Sequence, residues 1–260
     1  MQQRQNGAIR FFEFESFDAA RVSHAVFARQ GGVSEGCWSS LNMSISVGDS
    51  RANVRENRER AFRAVGRVPH SVADLWQVHS ADVVVAERPR DLSVDAARAD
   101  ILITDRPEVT LFLRFADCVP VLLYDPRRRA VALVHAGWKG TLLKAAAVAV
   151  QALADQYGSR PADLVAGIGP SIGPCHYEVG PEIVQQVRAV FDGRSAGLLV
   201  DAAGRTHLDL WAANALTLRE AGVQQIEVAG LCTACHPADF FSHRGEHGRT
   251  GRFGALIGLV

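Results

Sequence analysis

The chain carries no surplus of charge of either sign: 28 Lys and Arg balance 28 Asp and Glu. Proteins that follow a phosphate backbone or cling to an anionic bilayer present a basic stripe or surplus, so neither nucleic acid nor membrane is expected as a partner. Long apolar runs are also missing; none approaches the roughly 18–20 residues that span a bilayer, and the opening MQQRQNG is polar with no signal-like apolar stretch behind it. A cytoplasmic location is expected. Cysteine is sparse and odd in number (Cys37, Cys118, Cys175, Cys232, Cys235), which argues against a disulfide framework and for free thiols or metal ligands. There is no repeat, low-complexity tract or Pro/Ser-rich linker, so residues 1–260 read as one domain.

What is present is apolar material, 48% of the residues, enough for a full core. Apolar positions at helical spacing predict helices over 49–65, 141–157, Pro181–Phe191 and Leu210–Glu220. Short β-rich runs predict strands at 22–26, 83–85, 101–103, 111–115, 119–124, 130–134, 164–168 and 226–231. Only Asp125, Pro126 and three arginines separate two of these strands, which predicts a hairpin and excludes a purely parallel sheet. The expected fold is α/β (α+β): mixed sheets flanked by helices in a layered sandwich.

Several motifs carry chemistry at first sight and lose it on inspection. CTACH, 232–236, matches covalent haem attachment, which requires export, and as half a zinc ribbon it lacks a second CxxC or HxxxH. It reads as a buried structural pair. GIGPSIG, 167–173, has the spacing GxGxxxG, and Pro170 removes a donor that a phosphate would want, so the glycines shape a tight loop instead.

Cys118 in ADCVPVLLYD and His135 in VHAGWKG stand at strand ends, where a side chain can face a cleft while the sheet supports it; His79 in QVHSADV is similarly placed. Single ligands of His, Cys and His type from separate segments suit a zinc ion with one open position. A Cys118 thiolate activated by His135 is the rival chemistry, and spacing does not separate the two. Arg29, before Gly31 and Gly32, is an anion-holding candidate. His243 and Arg244 in FFSHR lie in a polar segment that reads equally as pocket wall or packed staple.

Taken together, ARQGGVSEGCWSSLN, QVHSADV, DAARADILIT, ADCVPVLLYD, HAGWKG, GIGPSIGPCHYEVG, LDLWAANALTLREAGV and CTACHPADFFSHR with TGR resemble the YfiH family. This is also called the laccase-domain or peptidoglycan-editing-factor family, and is described as zinc-dependent purine nucleoside phosphorylases. The resemblance implies that His79, Cys118 and His135 hold Zn²⁺, with copper as the alternative ion. It implies phosphorolysis of adenosine, inosine, guanosine and methylthioadenosine, and deamination of adenosine. Purine nucleosides and phosphate are the expected partners. Arg29 is then the candidate for phosphate, with His176, His243 and Arg244 near the substrate. Asp117 is the candidate for orienting a ligand or moving a proton.

Four positions depart from the family pattern: His176 where a second cysteine is frequent, Lys139 for arginine, Ala28 for threonine or serine, and Phe115 for threonine. None is one of the three ligands. Against this reading stand a copper phenol oxidase, which needs many more histidines than one such set supplies, a Cys118/His135 thiol hydrolase acting on peptidoglycan, and a metal-stabilised module that binds nucleosides without turnover.

Overall fold

The computed structural model describes residues 1–202 and 204–260. One six-stranded sheet has, edge to edge, β1 (Gln2–Asn6), β2 (Ile9–Glu13), β3 (Val22–Phe27), β14 (Phe253–Leu259), β7 (Thr110–Phe115) and β4 (Val72–Asp74). The other has β13 (Gln225–Val228), β10 (Val165–Ile168), β8 (Val119–Asp125), β9 (Ala130–Ala136), β6 (Ile101–Thr104) and β5 (Val83–Val85). β11 (Leu199–Ala202) and β12 (Arg205–Leu208) form a separate ribbon. Both large sheets are mixed: β4 runs parallel to β7, β5 to β6 and β13 to β10, while the other pairs are antiparallel. The α-helices among the described residues are α1 (Arg51–Ala64), α2 (Trp138–Leu142), α3 (Ala145–Tyr157), α4 (Pro181–Phe191) and α5 (Leu210–Glu220). Among the described residues no helix is long and apolar enough to cross a membrane.

Strand alternation builds the layers. On β9, Ala130, Ala132, Val134 and Ala136 face α3 and α5, whereas Val131 and Leu133 enter the core between the two sheets. His135 has the parity of Val131 and Leu133, so it looks into the space between the sheets at the strand's end. Both faces of β9 are buried, so a slip of one residue would turn it toward the helices and force Val131 and Leu133 into the space that the alanine row fills, mispacking side chains whose burial contributes about 1.5–3 kcal/mol each. Packing of apolar neighbours therefore fixes where the imidazole points. On the far side, Phe62 of α1 covers Phe112 and Leu256, completing an order of helix, sheet, sheet and helices.

The hairpin of β8 and β9 forms as the short Asp125–Ala130 connection predicts. The expected helix over 141–157 is instead two helices, since Lys144 adopts a left-handed conformation with φ 55°. TLLKAAAVAV is uninterrupted by glycine or proline, so nothing local marks the break. It lets α2 leave β9 directly and dock on α5, where Asn214 Nδ2 donates to Thr141 Oγ1 at 2.9 Å, while α3 runs back across β9. Unexpected too is β14, a central strand flanked by β3 and β7. Its two glycines weaken the strand signal, yet a Cβ on Gly254 would lie 2.5 Å from Met43 Sδ and from Phe112.

His24 is buried on β3, and its Nε2 accepts from Phe14 N at 2.8 Å. Burial holds its pKa down, from 6.5 to about 4. The folded imidazole therefore stays neutral where an unfolded one gains a proton. Its contribution is complete above pH 6.5 and is lost as pH falls toward 4, roughly 3 kcal/mol over that window. Urea midpoints of wild type are expected to fall across this range more steeply than those of His24→Asn, which keeps an acceptor but cannot titrate. Parallel slopes would refute the assignment.

Candidate metal centre

The strand ends and loops bring His79, Cys118 and His135 together, with one ligand atom from each lying within 4.8 Å of the others. Cys118 Sγ is 3.8 Å from His79 Nε2, and the two imidazole centroids are 4.9 Å apart in an edge-to-face arrangement. Tetrahedral bonds of about 2.3 Å to sulfur and about 2.1 Å to nitrogen separate such atoms by roughly 3.6 Å, so the spacing fits a metal ion. Backbone conformation contributes: His79 and Asp117 are non-glycine residues with φ of 63° and 82°, sparsely populated values retained where the surroundings overdetermine them. Gly137 is needed beside them, because a Cβ there would lie 2.8 Å from Cys118 Sγ and 3.1 Å from His79.

Asp100 orients the trio. It is fully buried, its Oδ1 lies 2.7 Å from His135 Nδ1, and its Oδ2 accepts from Val78 N at 3.1 Å and Ser80 N at 2.6 Å. His135 N also donates to the Asp100 carbonyl, at 2.8 Å. With Nδ1 engaged, His135 presents Nε2 to the cleft, and the two loop amides place His79 between them. Burial opposes charge on Asp100, but the hydrogen bonds from His135, Ser80 and Val78 together hold its carboxyl below the usual range. Burial likewise raises the Cys118 thiol, and the His135 charge overcomes this and brings it down to about 6. In return, against its own burial, the Cys118 thiolate and Asp100 raise His135 to about 9. The metal-free pair therefore favours thiolate and imidazolium at neutral pH; the thiolate is the form that binds metal, and His135 must give up its Nε2 proton to join it.

These residues open onto a cleft of about 620 Å³. Trp76, half exposed, is its aromatic wall. Arg58, Arg90 and Arg114 share the carboxylate of Asp74, and Arg51 and Arg252 also line the cleft, so five arginines outweigh Asp74 and Asp95 and leave it cationic. Arg252 Nη1 donates to the carbonyls of Thr250 and Gly251, at 3.2 and 2.8 Å, which fixes the guanidinium in place.

Of the expected substrate residues, His243 lines this cleft. Arg29 does not: its guanidinium donates to the carbonyls of Ser39 and Pro237, pairs with Glu246 at 3.0 Å and stacks over Phe241. Carbonyls and a carboxylate already engage its Nε and Nη1. Arg244 turns instead toward the Glu178 carbonyl at 3.0 Å and the Tyr177 ring. His176 sits among Cys175, Cys232 and Cys235, away from the cleft. Those cysteines correct the expected buried pair, since Cys232 is buried but Cys235 is exposed.

Asp117 is committed as well. Its Oδ1 accepts from Thr233 and Ser242 hydroxyls, at 2.6 and 2.7 Å, and its Oδ2 from Arg244 N at 2.6 Å. It fastens the 233–244 segment beside Cys118. Sequence reasoning passed over Asp100, Trp76 and the Asp74 arginine cluster. Asp100 stands inside the quoted DAARADILIT, but only pairing of β6 with β9 puts it against His135.

A sequence profile described as multi-copper polyphenol oxidoreductase laccase matches residues 23–260. A Deinococcus radiodurans protein named purine nucleoside phosphorylase is 41% identical over 241 residues, covering 92% of this chain and 89% of that protein. A Bacteroides thetaiotaomicron protein of the same name is 33% identical, covering 96% of each. The crystal structure of YlmD from Geobacillus stearothermophilus superposes with a TM-score of 0.91 at 35% identity, covering 99% of this chain and 98% of that one. That of Bacillus licheniformis YfiH gives 0.92 at 34%, covering 99% of both.

Proposed function

Since the chain belongs to the multi-copper polyphenol oxidoreductase laccase family, and with it to the YfiH proteins, we propose that it is a zinc-dependent purine nucleoside phosphorylase that also deaminates adenosine at the same site. The observation that carries this reading is the convergence of His79, Cys118 and His135 on a cationic cleft walled by Trp76. Residues 1–260 act in this reading as one cytoplasmic catalytic domain. Adenosine, inosine, guanosine and methylthioadenosine are its substrates, each yielding a free base and ribose or methylthioribose 1-phosphate.

His79, Cys118 and His135 would hold the zinc, which when bound supplies Lewis-acid chemistry without redox change. Trp76 offers a flat face on which a purine can stack. Arg252 and the arginines that exceed the charge of Asp74 attract and orient inorganic phosphate, a role that passes to them from Arg29. Phosphorolysis forms the bond from a phosphate oxygen to C1′ and breaks the glycosidic bond, whose electron pair leaves with the base. His243, which also lines the cleft, is the candidate to give the departing base its proton. In deamination water adds at C6 and ammonia departs, so the phosphate-binding wall is not required. Asp117 acts as a positioning residue that keeps Cys118 and the His243 segment in register.

The deciding experiment is chromatography of adenosine incubated with zinc-replete protein, with and without phosphate. Adenine and ribose 1-phosphate are expected only with phosphate, and inosine in both. If neither product forms, while copper-loaded protein oxidises phenols, the proposal is overturned in favour of the oxidase reading.

A further inference from the structure

We propose that Cys175, His176, Cys232 and Cys235 bind a second zinc ion in a closed tetrahedral site whose role is structural. One ligand atom from each of the four lies within 4.8 Å of the rest. Cys175 Sγ is 3.4 Å from Cys235 Sγ. His176 Nδ1 is 3.3 Å from Cys175 Sγ, 3.4 Å from Cys235 Sγ and 3.8 Å from Cys232 Sγ. Three thiolates and one imidazole around zinc stand roughly 3.6–3.8 Å apart, and four protein ligands leave no position open, as in structural sites. Soft sulfur donors in this number select zinc over harder ions.

The half-site that CTACH lacks in the linear sequence is thus supplied by Cys175 and His176, some sixty residues earlier, through the fold. The backbone is arranged for it. Ser171 N donates to Leu231 O at 3.2 Å and Thr233 N to Ser171 O at 3.0 Å, which clamps the two loops together. Cys235 N and His236 N both fold back on the Cys232 carbonyl at 3.1 Å, bringing Cys235 round to the same side as Cys232. Gly173 N donates to Cys232 Sγ at 3.3 Å, a bond that stabilises a thiolate.

The site has a consequence for the cleft. Thr233, one residue past Cys232, donates to Asp117 Oδ1, and Ile172 N donates to the Asp117 carbonyl at 2.9 Å. Both clamped loops therefore bear on the residue preceding Cys118.

This inference stands independently of the nucleoside chemistry and is tested by metal content. Wild-type protein purified under reducing conditions is expected to carry about two zinc ions per chain, one for each cluster. Cys235→Ser is expected to keep about one, and His79→Ala to lose the other one only. Cadmium substitution should give two ¹¹³Cd resonances, one in the thiolate-rich region, and Cys235→Ser should abolish that one. A readout needing no variant is alkylation followed by mass spectrometry: Cys175 and Cys235 are exposed, yet should resist the reagent until a chelator is added. Three results would each overturn the proposal. They are immediate alkylation of both cysteines in zinc-replete protein, unchanged zinc in Cys235→Ser, or one zinc per chain together with a Cys175–Cys235 disulfide.

Discussion

Cys118→Ala and His79→Ala are each expected to lose the catalytic zinc and both activities together. The competing chemistry, a Cys118 thiolate with His135 as its base, has no use for His79, so His79→Ala separates the two. His79 lies 3.8 Å from Cys118 Sγ, in the position of a co-ligand. Removing one ligand from a three-ligand site takes away the Lewis acid, so turnover should fall by at least about 10²–10³-fold, the loss that follows removal of a single transition-state-stabilising group. Metal analysis is read beside the rates. A Cys118→Ala protein that retains its zinc and loses only activity would favour the nucleophile. Alkylation gives an independent reading in wild type. Cys118 is brought down to about 6, so the metal-free thiol is ionised at neutral pH and should react quickly. A bound ion engages its lone pairs, so the same reagent should act slowly before chelation. Fast alkylation of the zinc-bound protein, with activity surviving a chelator, would sink the ligand assignment.

Asp100→Asn is expected to produce the second large effect, in metal affinity first and in rate as a consequence. The carboxylate fixes the His135 tautomer through Nδ1 and holds the amides of Val78 and Ser80 on either side of His79. Asparagine preserves size but can present its NH₂ to Nδ1, which favours the tautomer that carries its proton on Nε2, where the metal should sit. Loss of such a hydrogen-bonded partner lowers metal affinity by about 10–100-fold. Competition against a chromophoric chelator measures this directly, and excess zinc should restore much of the activity. That rescue separates a positioning residue from a residue that takes part in the reaction. Unchanged zinc affinity with lost activity would place Asp100 in the chemistry instead.

Much of the architecture was legible in the linear chain because its signals are local. The β8–β9 hairpin follows from two apolar runs with five residues between them, and α4 and α5 lie where periodicity places them. Ligand candidates were legible in part for a related reason: His135 closes the apolar run of β9 and Cys118 immediately precedes that of β8, whereas His79 lies in the loop between β4 and β5 and stood out through the family motifs. The break at Lys144 was not legible, because alanine-rich sequence favours helix on both sides of it and docking on α5 enforces the turn. Nor was β14, where Gly254 admits Met43 and Phe112 and Gly258 admits Arg67.

Residue order was thus enough for the layered α/β class and, through its ordered motifs, for the family, and the resemblance to that family singled out His79, Cys118 and His135, which the fold brings together. Their companions came from folding. Asp100 meets His135 across strands, three arginines gather on Asp74 from different elements, and Cys175 and His176 reach Cys232 and Cys235 through two clamped loops. Arg29 shows the converse, a plausible anion site in sequence that lies off the cleft with its Nε and Nη1 on the carbonyls of Ser39 and Pro237. Whether a polar side chain is free to act depends on which groups lie within about 3 Å of it, and those neighbours are set by packing rather than by adjacency along the chain.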